Sequence, residues 1–203
     1  MKDDSMGNIT IEVVKDGNTE QCRDLCNELM TFQKAQAVIA PELFDIMNYE
    51  TRLLSTFIKS PINQLIVAKD SGVPIAYVFS TIEKITDGDK SGIPEWAPVK
   101  KGEKALGFYP EWDNLPSQVG CLNHLYVREG YRSYGLGLKL LEQAMAWLTS
   151  FPEVDLTFVY ISNGNDAALD FYLKHGFTFS HDVFGGFIQA AYRVRGERRD
   201  DRG

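Results

Sequence analysis

Apolar and polar positions alternate with a period of two over residues 9–14, which predicts a first strand. Over residues 19–37 the period lengthens. Cys22, Leu25, Cys26, Leu29, Met30 and Phe32 recur at helical spacing, so one face of a helix turns inward. A second helix is predicted after Pro41, with Leu43, Ile46, Met47, Leu53, Leu54, Phe57 and Ile58 as its buried side and Pro61 as its stop. Residues 64–68 and 75–82 are apolar runs, and the Asp70-Ser71-Gly72-Val73-Pro74 between them has the composition of a hairpin turn. Residues 120–127 read as another strand. Residues 135–150 read as a helix with Leu136, Leu140, Leu141, Ala144 and Leu148 inward. Residues 154–161 are almost unbroken apolar, as in a strand covered on both faces. A short helix over 165–175 ends at Gly176, and residues 177–179 and 186–194 supply two closing strands.

This order predicts an α/β fold of the α+β kind: a mixed, mostly antiparallel, twisted sheet of about seven strands with helices on both faces. Residues 1–7 are expected to be a flexible N-terminus and residues 8–195 a single domain. Residues 196–203 are charged and read as a disordered tail. Within the domain, residues 84–118 form a long insertion holding four of the eight prolines and two tryptophans, Trp96 and Trp112. Unstructured stretches of that length are uncommon in compact domains and are often functional. Trp96, Phe108, Tyr109 and Trp112 either wall an apolar or cation-binding pocket or pin the loop to the body.

Composition narrows the function. Hydrophobic residues at 44% provide a core, and a net charge of -7 argues against a nucleic-acid partner. No apolar run spans a bilayer and the start lacks a secretory pattern, so a cytoplasmic protein is expected. The three cysteines fit a reducing compartment, with Cys22 and Cys26 read as core residues of one helix face. His124, His175 and His181 show no ligand spacing, so no metal is expected.

The most informative local pattern is Leu125-Tyr126-Val127 running into Arg128-Glu129-Gly130-Tyr131 and then Arg132-Ser133-Tyr134-Gly135-Leu136-Gly137-Leu138. A strand empties into a loop that opens a helix, where free backbone N–H groups and a partial positive charge suit phosphate oxygens. Gly135 and Gly137 let a pyrophosphate approach the backbone, and Arg132 can add charge-assisted hydrogen bonds. The run is not a Walker A loop, because Leu138-Lys139-Leu140 replaces Gly-Lys-Ser/Thr. Nor is it a dinucleotide fingerprint, because seven residues separate Val127 from Gly135 and position 140 is leucine.

Leu125-x-Val127, Arg132-x-x-Gly135-x-Gly137 and the amphipathic helix after them resemble the acyl-CoA-binding motif of the GCN5-related N-acetyltransferase (GNAT) family. Asn165-x-x-Ala168-x-x-x-Tyr172-x-x-x-Gly176-Phe177 is similar to the same family's second motif. The resemblance covers residues 120–180, and the flanks by element order only. It implies that the backbone of Leu125, Tyr126 and Val127 pairs with the pantetheine arm as an added strand. It further implies that the N–H groups from Arg132 to Leu138, through Ser133, Tyr134, Gly135, Leu136 and Gly137, hold the pyrophosphate. Asn165 then contacts the cofactor arm and Tyr172 sits near the sulfur. The implied reaction is acetyl transfer from acetyl-CoA to a primary amine of a small molecule or peptide, by direct attack.

An amine of pKa near 10.4 is mostly charged at neutral pH, so attack needs a proton acceptor, often through a water. Tyr172 can protonate or hydrogen-bond the departing thiolate, and an N–H near Leu125 is the donor the family implies for the oxyanion. Where many relatives place a glutamate this chain has Asn123, which can orient a water but accepts no proton. By strand alternation Asn123 shares a face with Cys121 and Leu125, and His124 points away unless a bulge re-aims it. His124 and Glu83 are the candidate bases, beside a water chain with no single base. Asn123 also keeps open a domain that binds acyl-CoA without catalysis. The acceptor and oligomeric state are left open, although homodimers are common among proteins of this kind.

Overall fold

The computed structural model describes residues 8–86, 89, 92–100, 103–132 and 134–196; the expected flexible start at 1–7, most of the expected tail and Ser133 lie outside the described residues. Seven strands form one sheet in the order β1-β2-β3-β4-β5-β7-β6. They are β1 Ile9–Val13, β2 Asn63–Asp70, β3 Val73–Lys84, β4 Gln118–Val127, β5 Leu156–Ser162, β6 Thr178–Val183 and β7 Ile188–Val194. Every neighbouring pair is antiparallel except β4 and β5, so the expected mixed, mostly antiparallel sheet of seven is what forms. Ser71 and Gly72 turn the β2–β3 hairpin with φ of 50° and 85°, positive at both central positions as a tight hairpin requires.

Four α-helices are described: α1 Arg23–Gln36, α2 Ser55–Lys59, α3 Leu136–Leu148 and α4 Asp166–Lys174. α3 and α4 cover one sheet face. Leu136, Leu140, Leu141 and Leu148 enter the largest core cluster, where each buried leucine contributes about 1.5–3 kcal/mol. α1 covers the other face. Its Leu25, Cys26, Leu29 and Met30 pack with Tyr77 and Phe79 of β3, and Cys22 joins them from a preceding 3-10 turn, Thr19–Cys22. The cysteines are free and buried, as their shared face predicts.

The continuous helix expected after Pro41 does not form. Pro41–Ile46 is a 3-10 helix, Glu50–Leu54 a π-helix, and only Ser55–Lys59 is α. Asn48 and Thr51 cap the π-turn reciprocally: each backbone N–H donates to the other side chain, at 3.0 Å. Breaking the period lets Leu53 into the core but leaves Ile46 and Ile58 more than two-thirds exposed, contrary to the helical pattern.

The insertion has no described strand. It is tied to the sheet by a bridge from Leu106 to Val183, by His181 Nε2 against the Gly107 carbonyl at 2.9 Å, and by aromatic rings. Trp96 packs on Phe184, Phe108 on Tyr160 and Phe184, and Trp112 on Tyr192. Among the described residues no helix is long and apolar enough to cross a membrane.

Candidate active site

β4 and β5 pair over only three positions, Gly120 with Thr157, Cys121 with Phe158 and Leu122 with Val159. Beyond them β4 runs on to Val127 and β5 to Ser162, but no further pair forms between the two. β4 keeps its other partner, β3, throughout, so Leu125, Tyr126 and Val127 present one paired edge and one edge turned to the split. A strand edge with unpaired N–H and C=O groups is a template for an extended ligand. A cleft of about 40 Å3 lies there, lined by Leu125, Asn165, Ala168 and Tyr172 among others.

The split leads to the start of α3. Glu129–Tyr131 forms a 3-10 turn in which Arg132 N–H donates to the Glu129 carbonyl at 3.2 Å. The Arg132 amide, expected to be free for an anion, therefore already has an acceptor within the turn. Gly135 is the N-cap of α3 at φ 75°, with no atom of another residue near the position of an added Cβ. Among the described residues no side chain caps the helix, and its first internal bond is Lys139 N–H to Gly135 C=O at 3.1 Å. The amides of Leu136, Gly137 and Leu138 thus have no intrahelical acceptor. With glycine at the N-cap, forgoing a side-chain cap costs only about a few tenths of a kcal/mol, and the bare amides suit an anion. A Cβ added at Gly137 would meet Val127 and Phe171 only at ordinary contact distance, 3.8 and 4.0 Å. Tyr134 is exposed. The Arg132 side chain folds back instead of reaching outward: its Nε donates to the Val127 carbonyl at 2.9 Å and the guanidinium stacks over Phe32 at 4.8 Å.

At the foot of the split the β3–β4 register slips. Phe79 pairs with His124 and Ser80 with Leu122, leaving Asn123 as the extra residue of a β-bulge. Strict alternation is thereby overturned: Asn123 and His124 face the same side as Cys121, and Leu125 faces the opposite core. That side is a cavity of about 460 Å3 between the sheet, α1, the 41–56 segment and the insertion. Gln33, Asn123, His124, Tyr160 and Ser162 line both spaces, so the cleft and the cavity share a wall. Trp96, Phe108 and Tyr109 line the cavity, whereas Trp112 pins the insertion against Tyr192 and Phe158. Trp96 and Phe108 thus combine the two roles foreseen for these aromatics, while Trp112 serves the second alone.

The polar groups of the shared wall are held in defined states. Asn123 Nδ2 donates to Thr81 Oγ1 at 2.8 Å. His124 is 4% exposed with its Nδ1 3.0 Å from the Tyr77 hydroxyl. Burial, helped by the Arg52 charge, pushes its pKa down to about 3, far from the value near 6.5 expected from sequence. A neutral imidazole results at physiological pH. Ser162 Oγ is buried with no hydrogen-bond partner among the described residues. Tyr172 is buried and its phenol is pushed up by desolvation alone, with its ring 5.3 Å from that of Phe177. Asn165 caps α4, accepting from Ala168 N–H at 3.3 Å, while also lining the cleft. Glu83, across from Val119 in the β3–β4 pairing, lines the cavity and accepts from Ser60 Oγ at 2.9 Å. The described part of the insertion adds Asp89, held below the usual carboxylate range by the Thr86 hydroxyl and amide, at 2.6 and 2.8 Å.

Three residues escaped sequence reading. Ser162 and Asn163 show there only as a polar run after an apolar strand. Asn163 is 4% exposed and makes four bonds: Oδ1 accepts from Val38 and Ile39 N–H, both at 2.7 Å, and Nδ2 donates to the Ile39 and Phe187 carbonyls. Arg52 reads as an ordinary helix cation, and only the π-turn brings it into the cavity.

A sequence model of the Acetyltransferase (GNAT) family matches residues 31–177, most of the chain. The chain belongs to this family. Among solved structures it is similar to the PaiA N-acetyltransferase of Thermoplasma acidophilum in complex with coenzyme A, at 16% identity and a TM-score of 0.60 over 91% of this chain and 99% of that one. It is similar also to Arabidopsis thaliana Naa50 bound to the bisubstrate analogue CoA-Ac-MVNAL, at 13% identity and TM-score 0.54, covering 92% and 98%. A GNAT-family acetyltransferase of Streptococcus pneumoniae aligns at 15% identity and TM-score 0.55, covering 93% and 99%. At these identities the likeness is one of fold. No curated protein matches the sequence.

Proposed function

We propose that the protein is an acetyl-CoA-dependent N-acetyltransferase whose acceptor is a primary amine. The observation that carries this reading is the split between β4 and β5, which joins three things in one line. These are the bare amides at the start of α3, a strand edge at Leu125–Val127 (125–127), and a cavity large enough for an acceptor. Two of the solved relatives hold coenzyme A or a CoA-linked analogue, which supports the same ligand here. Leu136, Gly137 and Leu138 amides would hold the pyrophosphate, the 125–127 edge the pantetheine arm, and Asn165 its side. Bound acetyl-CoA supplies the activated acyl group.

The chain's own groups handle the protons. In the net reaction nitrogen gains the acetyl group, the carbon–sulfur bond breaks, nitrogen loses a proton and sulfur receives one. Glu83 is the carboxylate suited to accept the proton through a water, since His124 is a very weak base and Asp89 is tied to Thr86. Asn123 and Ser162, on the shared wall, orient that water and the amine. Neutral His124 serves as a hydrogen-bonding partner. Tyr172, with its phenol kept protonated, donates to the departing sulfur. Titration calorimetry with acetyl-CoA, followed by thiol release across a panel of primary amines, tests the reading. Micromolar binding with amine-dependent release is expected. No binding sinks the assignment, and binding without release for any amine leaves a non-catalytic acyl-CoA-binding domain instead.

A further inference from the structure

The large cavity carries a cation, Arg52, that the reaction itself does not require. Arg52 sits in the π-turn Glu50–Leu54 and lines the cavity. Single π-turns inside helices are rare and frequent at functional sites, and this one brings a cation to the wall of the cavity. The nearest acid in the chain, Glu50, is gripped by Arg23, which also binds Glu20. Residues two apart on a helix do not face each other, so Glu50 is not a partner for Arg52. Among the described residues no carboxylate lies within ion-pair distance of Arg52.

Arg52 is exposed and lines the cavity, and the groups that feel its charge or act on it include His124, Cys26 and Tyr77, so its head lies on the His124 side of that space. Elsewhere in the lining, Glu83 acts on Cys121, Tyr109 and Tyr160, and Asp89 on Tyr109. A guanidinium that faces a cavity without a carboxylate partner is open to one from a ligand, and its planar fork matches a carboxylate. The lining also has an apolar part, with Phe44, Met47, Trp96, Phe108 and Phe187.

We propose that Arg52 selects the acceptor, and that the acceptor is an α-amino acid or similar compact amine with an apolar body, its carboxylate held by Arg52 and its amine presented to the shared wall at Asn123. The proposal rests on the acetyl-transfer reading and narrows it to a substrate class. The volume of about 460 Å3 suits a ligand of that size.

Two matched pairs of probes test it, L-phenylalanine against phenethylamine and L-leucine against 3-methylbutylamine. Each pair differs by one carboxylate. Thiol release from acetyl-CoA gives kcat/KM for each. Calorimetry on the protein without nucleotide gives affinity independently of turnover. The expected result is a preference for the amino acid of about tenfold or more, the size of one charge-assisted hydrogen-bonded pair. In Arg52→Met the preference should collapse through the KM of the amino acid, and Arg52→Lys should keep an intermediate ratio. Equal handling of both members by the parent, a parallel loss of both in Arg52→Met, or no millimolar binding of either member overturns the proposal. Absence of acetyl-CoA binding alone would count against the acetyl-transfer reading, because the calorimetric ratio still reports on Arg52.

Discussion

The Asn163→Ala substitution probes how the cavity is kept in shape. Asn163 follows β5 and clasps the chain just after α1, holding Val38 and Ile39 by their amides and Ile39 and Phe187 by their carbonyls. Alanine deletes four hydrogen bonds at once. At about 0.5–1.5 kcal/mol net each the loss would approach 4 kcal/mol, but the Val38 side is exposed and water can replace part of it. About 3 kcal/mol is the expected cost. For a domain of this size that lowers Tm by roughly 6–12 °C, read by thermal melting under matched buffer. The clasped segment leads into Pro41–Ile46, whose Phe44 lines the cavity. Acceptor KM should therefore rise while acetyl-CoA affinity, set at the start of α3, holds. A fall in Tm below about 2 °C would show that the clasp is replaceable by solvent and refute the reasoning.

Gly135→Glu should abolish acetyl-CoA binding by calorimetry, through the bulk and charge of the new side chain. Gly135→Asn, which tolerates the positive φ, should retain far more of it. Tyr172→Phe should cut kcat about tenfold or more with little change in acetyl-CoA affinity, in line with loss of one proton-donating group. Glu83→Gln should lower kcat/KM by about 100-fold, measured as thiol release near neutral pH with Glu83→Asp as partial rescue. His124 has a depressed folded-state pKa, so the folded protein resists protonation there. Its contribution to stability is present above about pH 6.5 and is lost as pH falls towards about 3. Denaturant titrations across that window should show a shallower pH slope for His124→Asn.

Elements whose pattern is set by burial on one face were legible in the chain. The order of strands and helices, the buried stripe of α3 and the Cys22–Cys26 face follow from periodicity alone, because nothing competes with it there. Ile46 and Ile58 were misplaced because a reciprocal cap at Asn48 and Thr51 starts a π-turn, which breaks the helical period. Arg52 was invisible for the same reason. The glycine loop was legible because a helix start without a cap has a sequence signature, although the Arg132 amide proved to be spent within a 3-10 turn. Asn123 and His124 were ambiguous because a bulge is a property of two strands. Neither strand's sequence records the slip between Phe79 and Ser80.

That slip also sets what the central strand can tolerate. Losing one residue from an interior strand normally throws everything beyond it onto the wrong side of the sheet. Here, removal of Asn123 alone would join Leu122 to His124, whose partners Ser80 and Phe79 are already consecutive, so each remaining side chain would keep its core. The architecture can dispense with that position. Under the proposed reaction, that freedom lets Asn123 serve the junction of cleft and cavity.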